Sequence, residues 1–419
     1  MPRPLDAAYA AAALAASPIW IPRMVRTGKH RTDWPGRFGR GEALPATDTP
    51  RVLLHAVSVG EVNATDLLVD DLRNGSPAIE PVIATMTDTG FDRATSLFRD
   101  RCPVVRFPFD TSGAVRRFLD RVRPDAIGLV ELEVWPNFLR ECRRRRIPVA
   151  VVNGRLSERS YARYRRLGPI ARGFFRPLAA VAAQDETYAD RFRGVGVPPE
   201  RVTTPGSMKW DTARIADEVP GAEELAAALG IDRDRPLVVA GSTAPGEHAL
   251  LRDAIPADAQ LLCAPRKPEW FDEAARDLPG CARRSRGDQG SCTGRFLLDT
   301  IGELRAAYGL ADLVIVGRTF VDLGGSDMIE PVALGRPTII GPDTGHFQVI
   351  AGDLEAVGGV QRCRREELAA TVRSLLEDRS ARDTMIERGR ELIRSRQGAT
   401  RRLGDLMRSL ATSPPVTST

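Results

Sequence analysis

The chain has 419 residues, enough for two domains with separate hydrophobic cores. Its 42% hydrophobic and 27% charged content is that of a soluble globular protein, which excludes disordered and fibrous classes. A net charge of only +5 and 6% aromatics supply neither the basic field nor the stacking platforms for nucleic acid, so no nucleic-acid partner is expected.

The N-terminal stretch "LDAAYAAAALAASPIWIP" (5–22) is nearly free of charge, with Arg3 before it and Arg23, Arg26, Lys29 and Arg31 after it. It is alanine-rich and interrupted by Pro18, a poor spanning helix. Aromatic and proline residues fall where a signal-peptide cleavage site needs small ones. Residues 1–30 are therefore expected to lie on a membrane surface, the basic cluster meeting anionic head groups. The alternative is a helix packed on the protein's own surface.

From residue 51 strands and helices alternate. Strands are predicted at 51–58, 80–87, 104–110, 126–131, 148–154 and 178–184, with helices such as 61–74 and 113–122 between them. The alternation restarts with strands at 236–243, 260–266, 295–300, 312–317 and 337–342. Such a pattern implies α/β architecture: two doubly wound parallel sheets covered on both faces. The boundaries read as an N-terminal Rossmann-like domain at 31–205, a linker at 206–222 and a C-terminal Rossmann-like domain at 223–410. Residues 364–410 read as two or three helices, and 411–419 as a frayed tail. Ligands of such sheets bind outside the carboxyl ends of strands, which with two halves points to a cleft between them.

In "HAVSVGEVNA" (55–64), Gly60 permits a tight turn and Glu61 falls near a helix N-terminus. The helix dipole keeps a carboxylate ionised there, where a general base could take a proton from a hydroxyl. A helix-start glutamate with no other duty fits the same pattern. In "ELEVWPNF" (131–138), Glu131 and Glu133 are two apart and face one way in an extended chain. One of them is expected to engage Arg155 of "NGRLS" (153–157), either at the site or as a structural ion pair beneath it.

In the second half, "AGSTAPGEH" (240–248) sets Ser242 and Thr243 at a strand end. "APRKPEW" (264–270) adds Arg266, a forked phosphate donor, and Lys267, a point charge. Lys29, Lys209 and Lys267 are the only lysines, so Lys209 in "GSMKWD" also stands out. In "GGSDMIEPVALGRP" (324–337), Gly324 and Gly325 lead into a short helix at about 328–334. Free backbone N–H groups at such a turn suit a phosphate, and Glu330 could accept from ribose hydroxyls. Asp327 brings a negative charge into the same turn. The six cysteines show no C-x-x-C spacing and read as reduced thiols.

The motifs "VSVGEVNA", "ELEVWPN", "NGRLSERSY", "GSMKWD", "AGSTAPGE", "APRKPEWF", "DTIGELRAAYGLADLVIVG" and "GGSDMIEPVALGRPTIIGP" occur in the order found in Kdo transferases. These are the 3-deoxy-D-manno-octulosonic acid transferases of lipopolysaccharide synthesis, and the resemblance covers roughly residues 5 to 400. It implies a GT-B fold and an inverting transfer, without metal or cofactor, from CMP-Kdo to a lipid A precursor. It also implies a peripheral or monotopic place on the cytoplasmic face of the inner membrane, with no obligate protein partner. On the resemblance Glu61 is the general base, supported on the acceptor side by Ser58, Gly60, Glu131, Glu133, Arg155 and Lys209. Ser242, Thr243, Arg266, Lys267, Gly302, Gly324, Gly325, Ser326, Asp327 and Glu330 form the donor side.

Two departures fall on the donor side. The family reads Gly-Gly-His-Asn where this chain has Gly324-Gly325-Ser326-Asp327, and Pro-Arg-His-Pro where it has Pro265-Arg266-Lys267-Pro268. The new charges are opposite, so Lys267 and Asp327 are expected to be neighbours that compensate each other. A sugar-nucleotide 2-epimerase on the same fold, a transferase with another donor, and a binding protein that has lost transfer are the competing readings.

Overall fold

The computed structural model describes residues 4–26 and 32–413, the side chains of Pro4, Ala8, Arg23 and His346 excepted. The chain forms two compact units, one of residues 1–212 and 397–419 and the other of residues 213–396.

The first unit holds seven strands: β1 (Arg51–His55), β2 (Glu80–Thr85), β3 (Val104–Arg106), β4 (Ala126–Val130), β5 (Val149–Gly154), β6 (Ala180–Ala183) and β7 (Val202–Thr203). They form one sheet in the order β3-β2-β1-β4-β5-β6-β7, every pair parallel. The second unit holds β8 (Leu237–Thr243), β9 (Gln260–Pro265), β10 (Ala282–Arg283), β11 (Arg295–Leu297), β12 (Leu313–Val316), β13 (Thr338–Ile340) and β14 (Gln361–Arg362). Their order is β10-β11-β9-β8-β12-β13-β14, again all parallel. Helices on both faces explain why strands such as "VLLH" and "LVIV" are apolar throughout rather than alternating, and why every residue in them is buried. Each sheet reverses its direction of growth once, between β1 and β4 and between β8 and β12. A parallel sheet leaves a crevice for ligands at that point.

Strand assignments from 51 to 342 agree with the expected pattern, but β7, β10 and β14, each two residues long, were not foreseen. Such short edge pieces have no periodicity to read. The expected helix at 61–74 is two helices, Val59–Ala64 and Asp66–Asn74, broken at Thr65.

The expected boundary of 223–410 for the second domain is corrected. The helix Ala399–Thr412 returns to the first unit, where Leu403 and Met407 are fully buried with Leu54, Leu68 and Val152. Arg408 pairs with Asp71, and Asp211 receives the N–H groups of Gly398 and Thr400 at 2.6 Å. Residues 207–210, expected in the linker, also pack into the first unit, with Met208 and Trp210 buried. Most of the expected tail, 414–419, lies outside the described residues.

The N-terminal segment is one helix, Pro4–Arg26, running through Pro18 and Pro22 rather than stopping there. Its first turns are docked: Asp6 accepts from Ser112 N at 2.9 Å, and Tyr9 Oη donates to Asp110 at 3.0 Å. Its later turns leave Leu14 73% and Ile19 76% exposed. No described helix is long and apolar enough to cross a membrane. Lys29 and Arg31 of the expected basic cluster lie outside the described residues.

Met407→Ala should test the return helix. Removing a fully buried side chain from the first unit's core costs about 2–5 kcal/mol. Thermal melts should show that unit losing stability while the residue 213–396 unit keeps its own transition; an unchanged profile would contradict the packing.

Candidate active site

In the first unit the candidate residues follow β1 and β4, the two strands at the sheet's switch point. Ser58 is the N-cap of Val59–Ala64, its Oγ accepting from Glu61 N at 3.3 Å. The same hydroxyl donates to Glu61 Oε1 at 2.8 Å, and Val57 N donates to Oε2 at 2.8 Å. Both carboxylate oxygens are thus held at the helix N-terminus, one by the N-cap hydroxyl of Ser58 and one by the N–H of the residue before it. Gly60 is not needed for a turn. It lies inside the helix, and a Cβ there would meet nothing nearer than Ser58 Oγ at 3.9 Å.

Burial raises the Glu61 carboxyl above the usual range, the bonds from Val57 and Ser58 oppose the rise, and the Glu131 charge adds to it. Glu133 is pushed further, to about 7, by burial and by the charges of Glu61 and Glu131. Two like carboxylates ionise in sequence. Glu61, with its two donors, goes first, and Glu133 keeps its proton almost to neutrality. The Trp135 indole beside Glu133 opposes the rise, although its buried Nε1 lacks a well-formed hydrogen bond.

Arg155 does not pair with either glutamate. Its Nε donates to Tyr188 Oη at 3.3 Å, and no ion pair among the described residues includes Glu131 or Glu133. The extended geometry assumed for 131–133 fails at its first residue. β4 ends at Val130, and Glu131 turns left-handed with φ 59°. Lys209 lies in the 3-10 turn Met208–Trp210, which Asn153 Oδ1 fastens by accepting from Met208 N at 3.1 Å.

In the second unit the candidates follow β8, β9 and β12. Arg266, Asp327 and Glu330 converge on one fully buried side chain, Tyr308, whose hydroxyl is raised by burial and by both acids and lowered by Arg266. Arg266 itself is exposed and has no ion-pair partner among the described residues. Arg305 Nη1 holds Glu330 Oε1 at 3.0 Å, so the expected ribose acceptor is already oriented by a cation. Ser242 has φ 58°, and Gly302 has φ 100° with open space around it. Thr243 is fully buried, with Oγ1 at 3.3 Å from Cys263 Sγ and 3.2 Å from His248 Nε2. It therefore supports the loop from beneath rather than facing a ligand.

Gly324 and Gly325 are both left-handed, but their N–H groups are already taken, by Asp343 at 2.9 Å and by Arg318 O at 3.0 Å. They shape the turn and do not offer it to an anion. Asp327 Oδ1 accepts from Ile329 N at 2.9 Å, the first N–H of the helix Ile329–Ala333, whose N-cap is Met328. Ser326 is buried and its Oγ has no hydrogen-bond partner among the described residues. The expected Lys267–Asp327 pair does not form. Lys267 Nζ is 3.1 Å from Glu269 and 4.8 Å from the Trp270 ring centre, partners only two and three residues away.

Glu247 and Arg305 went unrecognised in the sequence although both stand inside quoted motifs. The buried Glu247 carboxylate receives Ala244 N at 2.9 Å, Arg318 N at 2.8 Å and Phe320 N at 3.1 Å. It ties the loop after β8 to the loop after β12, a long-range duty with no local signature. A cavity of about 1000 Å³ lined by Arg143, Arg146 and Leu178 lies at the amino ends of β4 to β6, away from these residues.

Two all-parallel, doubly wound units make the GT-B architecture, and solved structures share it. HepE from Anabaena, solved with UDP and glucose, superposes with a TM-score of 0.57 at 14% identity, covering 86% of this chain and 100% of that one. A putative UDP-N-acetylglucosamine 2-epimerase from Listeria monocytogenes gives 0.58 at 12% identity, covering 86% and 96%. The sequence decides between such classes. The family described as "3-Deoxy-D-manno-octulosonic-acid transferase (kdotransferase)" matches residues 32–212. The 3-deoxy-D-manno-octulosonic acid transferase of Bordetella pertussis is 35% identical over 416 residues, 93% of this chain and 95% of that one. That of Haemophilus influenzae is 30% identical over 398 residues, 92% of each. The chain belongs to the Kdo transferase family and is a glycosyltransferase.

Substitutions at two positions test the electrostatics. The folded chain holds the Glu133 proton up to about 7, whereas the ordinary value is 4.5. Stability from that proton is complete below 4.5 and drains away as pH rises through about 7, by up to ~3 kcal/mol. Glu133→Gln should flatten this slope in urea melts across that range, and an unchanged slope would refute it. Asp327→Ala should cost about 1 kcal/mol through the lost hydrogen bond from Ile329 N and Asp327→Asn almost nothing; equal losses would exclude that role for the hydrogen bond.

Proposed function

We propose that the protein transfers 3-deoxy-D-manno-octulosonic acid from CMP-Kdo to a lipid A-type acceptor, with inversion and with Glu61 as general base. The observation that carries this reading is the Glu61 carboxylate, held by Val57 and Ser58 beside a glutamate that ionises later. Near neutrality Glu61 is the charged member of the pair, able to accept a proton, and Glu133 keeps part of its own.

In the reaction the acceptor hydroxyl oxygen attacks the anomeric carbon of the sugar as its proton passes to Glu61. The bond from that carbon to the CMP phosphate oxygen breaks, and CMP departs with the electron pair. Arg266, exposed and without an ion-pair partner among the described residues, neutralises the leaving phosphate. The Ser326 hydroxyl supplies a further hydrogen bond, and Glu330, set by Arg305, accepts from the nucleotide's ribose. No cofactor takes part in this scheme. The exposed apolar residues of Pro4–Arg26 support a peripheral or monotopic place on the cytoplasmic face of the inner membrane, where a lipid acceptor is met.

Glu61→Gln should lower transfer on the order of a hundredfold or more while leaving CMP binding, followed by thermal shift, unchanged. Transfer within about threefold of the parent enzyme would remove Glu61 from the mechanism. A thermal response to uridine nucleotides but not to CMP would remove the donor assignment.

A further inference from the structure

We propose that His248, Glu273 and Asp277 form a binding site for one divalent metal ion of the zinc class, bracing the donor half beneath its strand-end loops. His248 opens the helix His248–Ala254, while Glu273 and Asp277 lie four apart on Phe271–Asp277 and so share a face. One imidazole nitrogen and two carboxylate oxygens come within 4.8 Å of one another.

The second observation is the state of the histidine. Its side chain is fully buried, Nε2 lies 3.2 Å from Thr243 Oγ1, and Nδ1 has no hydrogen-bond partner among the described residues. Nδ1 is 3.8 Å from Asp277 Oδ2, too far for a hydrogen bond. If Nε2 carries the ring proton, the Nδ1 lone pair faces two carboxylates, an arrangement that repels unless a positive centre lies between. If Nδ1 carries it, the donor is buried and unspent, which costs about 1–3 kcal/mol. A metal ion resolves both: it takes the lone pair, neutralises the acids and leaves Nε2–H to donate to Thr243.

The donor set favours zinc or a similar first-row ion, because imidazole nitrogen with carboxylate oxygen suits it better than the oxygen-only sites of magnesium or calcium. Bonds near 2.0–2.2 Å place tetrahedral ligands about 3.3–3.6 Å apart, so modest rotation of the two half-buried acids closes the site. Water takes the fourth position. The nearby cation does not compete: Arg252 is engaged by the Asp253 carboxylate and the Asp277 backbone carbonyl. Through His248 and Thr243 the ion would fix the end of β8, where the backbone turns left-handed at Ser242. The ion is structural and stands outside the transfer chemistry.

The full-length chain, stripped with chelator, should be titrated with Zn²⁺ by calorimetry and with Co²⁺ by absorption. One ion per chain is expected, with a tetrahedral Co²⁺ spectrum lacking thiolate charge-transfer bands. Glu273→Gln, at a half-buried surface position that folding tolerates, should weaken binding at least tenfold, and Asp277→Asn should do the same. Thr243→Val, which removes the hydroxyl beside His248 Nε2 and Cys263 Sγ and touches neither acid, should weaken it about tenfold, the usual effect of removing a ligand's own partner. No uptake by the parent chain, unchanged affinity in a folded Glu273→Gln variant, or thiolate bands from Cys281 or Cys292 would each overturn the proposal.

Discussion

Four residues that are not glycine hold a left-handed backbone at the carboxyl ends of central strands. Glu131 follows β4 with φ 59°, Asn153 lies in β5 with φ 52°, Ser242 in β8 with φ 58°, and Arg318 follows β12 with φ 62°. Each costs about 1–2 kcal/mol relative to ordinary backbone, so the surroundings must over-determine it. They do. Glu131 N donates to Val152 O and Asn153 Oδ1 accepts from Met208 N. Arg318 N donates to Glu247, and Gly317 N to Gly241 O. These bends lie at or just past the carboxyl ends of β4, β5, β8 and β12, three of them strands at the switch points. Strain of this kind gathers where a protein must present side chains rather than bury them.

The sheets were legible because buried parallel strands are continuous apolar runs, and "AIGLV" or "DLVIVG" can hardly be anything else. The Ser58–Glu61 cap was legible as well, being a local three-residue relation. What escaped was set by long-range geometry. The positive φ of Glu131 undid a two-residue alternation that looked secure, and with it the pairing to Arg155. Glu247 looked like one polar residue in a loop, yet its carboxylate serves backbone groups seventy residues away. The return of Ala399–Thr412 to the first unit is invisible in an amphipathic pattern, which says that a face is buried but not against what.

Within the first unit, acids are gathered without cations. Glu61, Glu131 and Glu133 influence one another with no ion pair recorded for any of them among the described residues. Such a group can lower its repulsion only by retaining a proton, and burial decides which member retains it. Had Arg155 reached Glu133, both carboxylates could have been charged at neutrality, and the pair would have lost its division of labour. The absence of that bridge is therefore a feature of the arrangement, imposed by the left-handed turn at Glu131.

The second unit shows the reverse economy in its two departures from the family pattern. Lys267 was expected to offset Asp327, but the two do not pair: Lys267 meets Glu269 and the Trp270 face, and Asp327 accepts from the N–H of Ile329. An exposed ion pair with a flexible lysine contributes little, roughly 0–1 kcal/mol, and leaves the field at the site almost unchanged. A carboxylate at a helix N-terminus likewise meets a partial positive charge that already favours it. Neither substitution then needs the other. In the proposed scheme the anionic donor meets the guanidinium of Arg266, and the hydroxyl of Ser326, itself a departure from the family pattern, is buried without a partner among the described residues. Lys267 and Asp327 thus depart from the family pattern without pairing with each other.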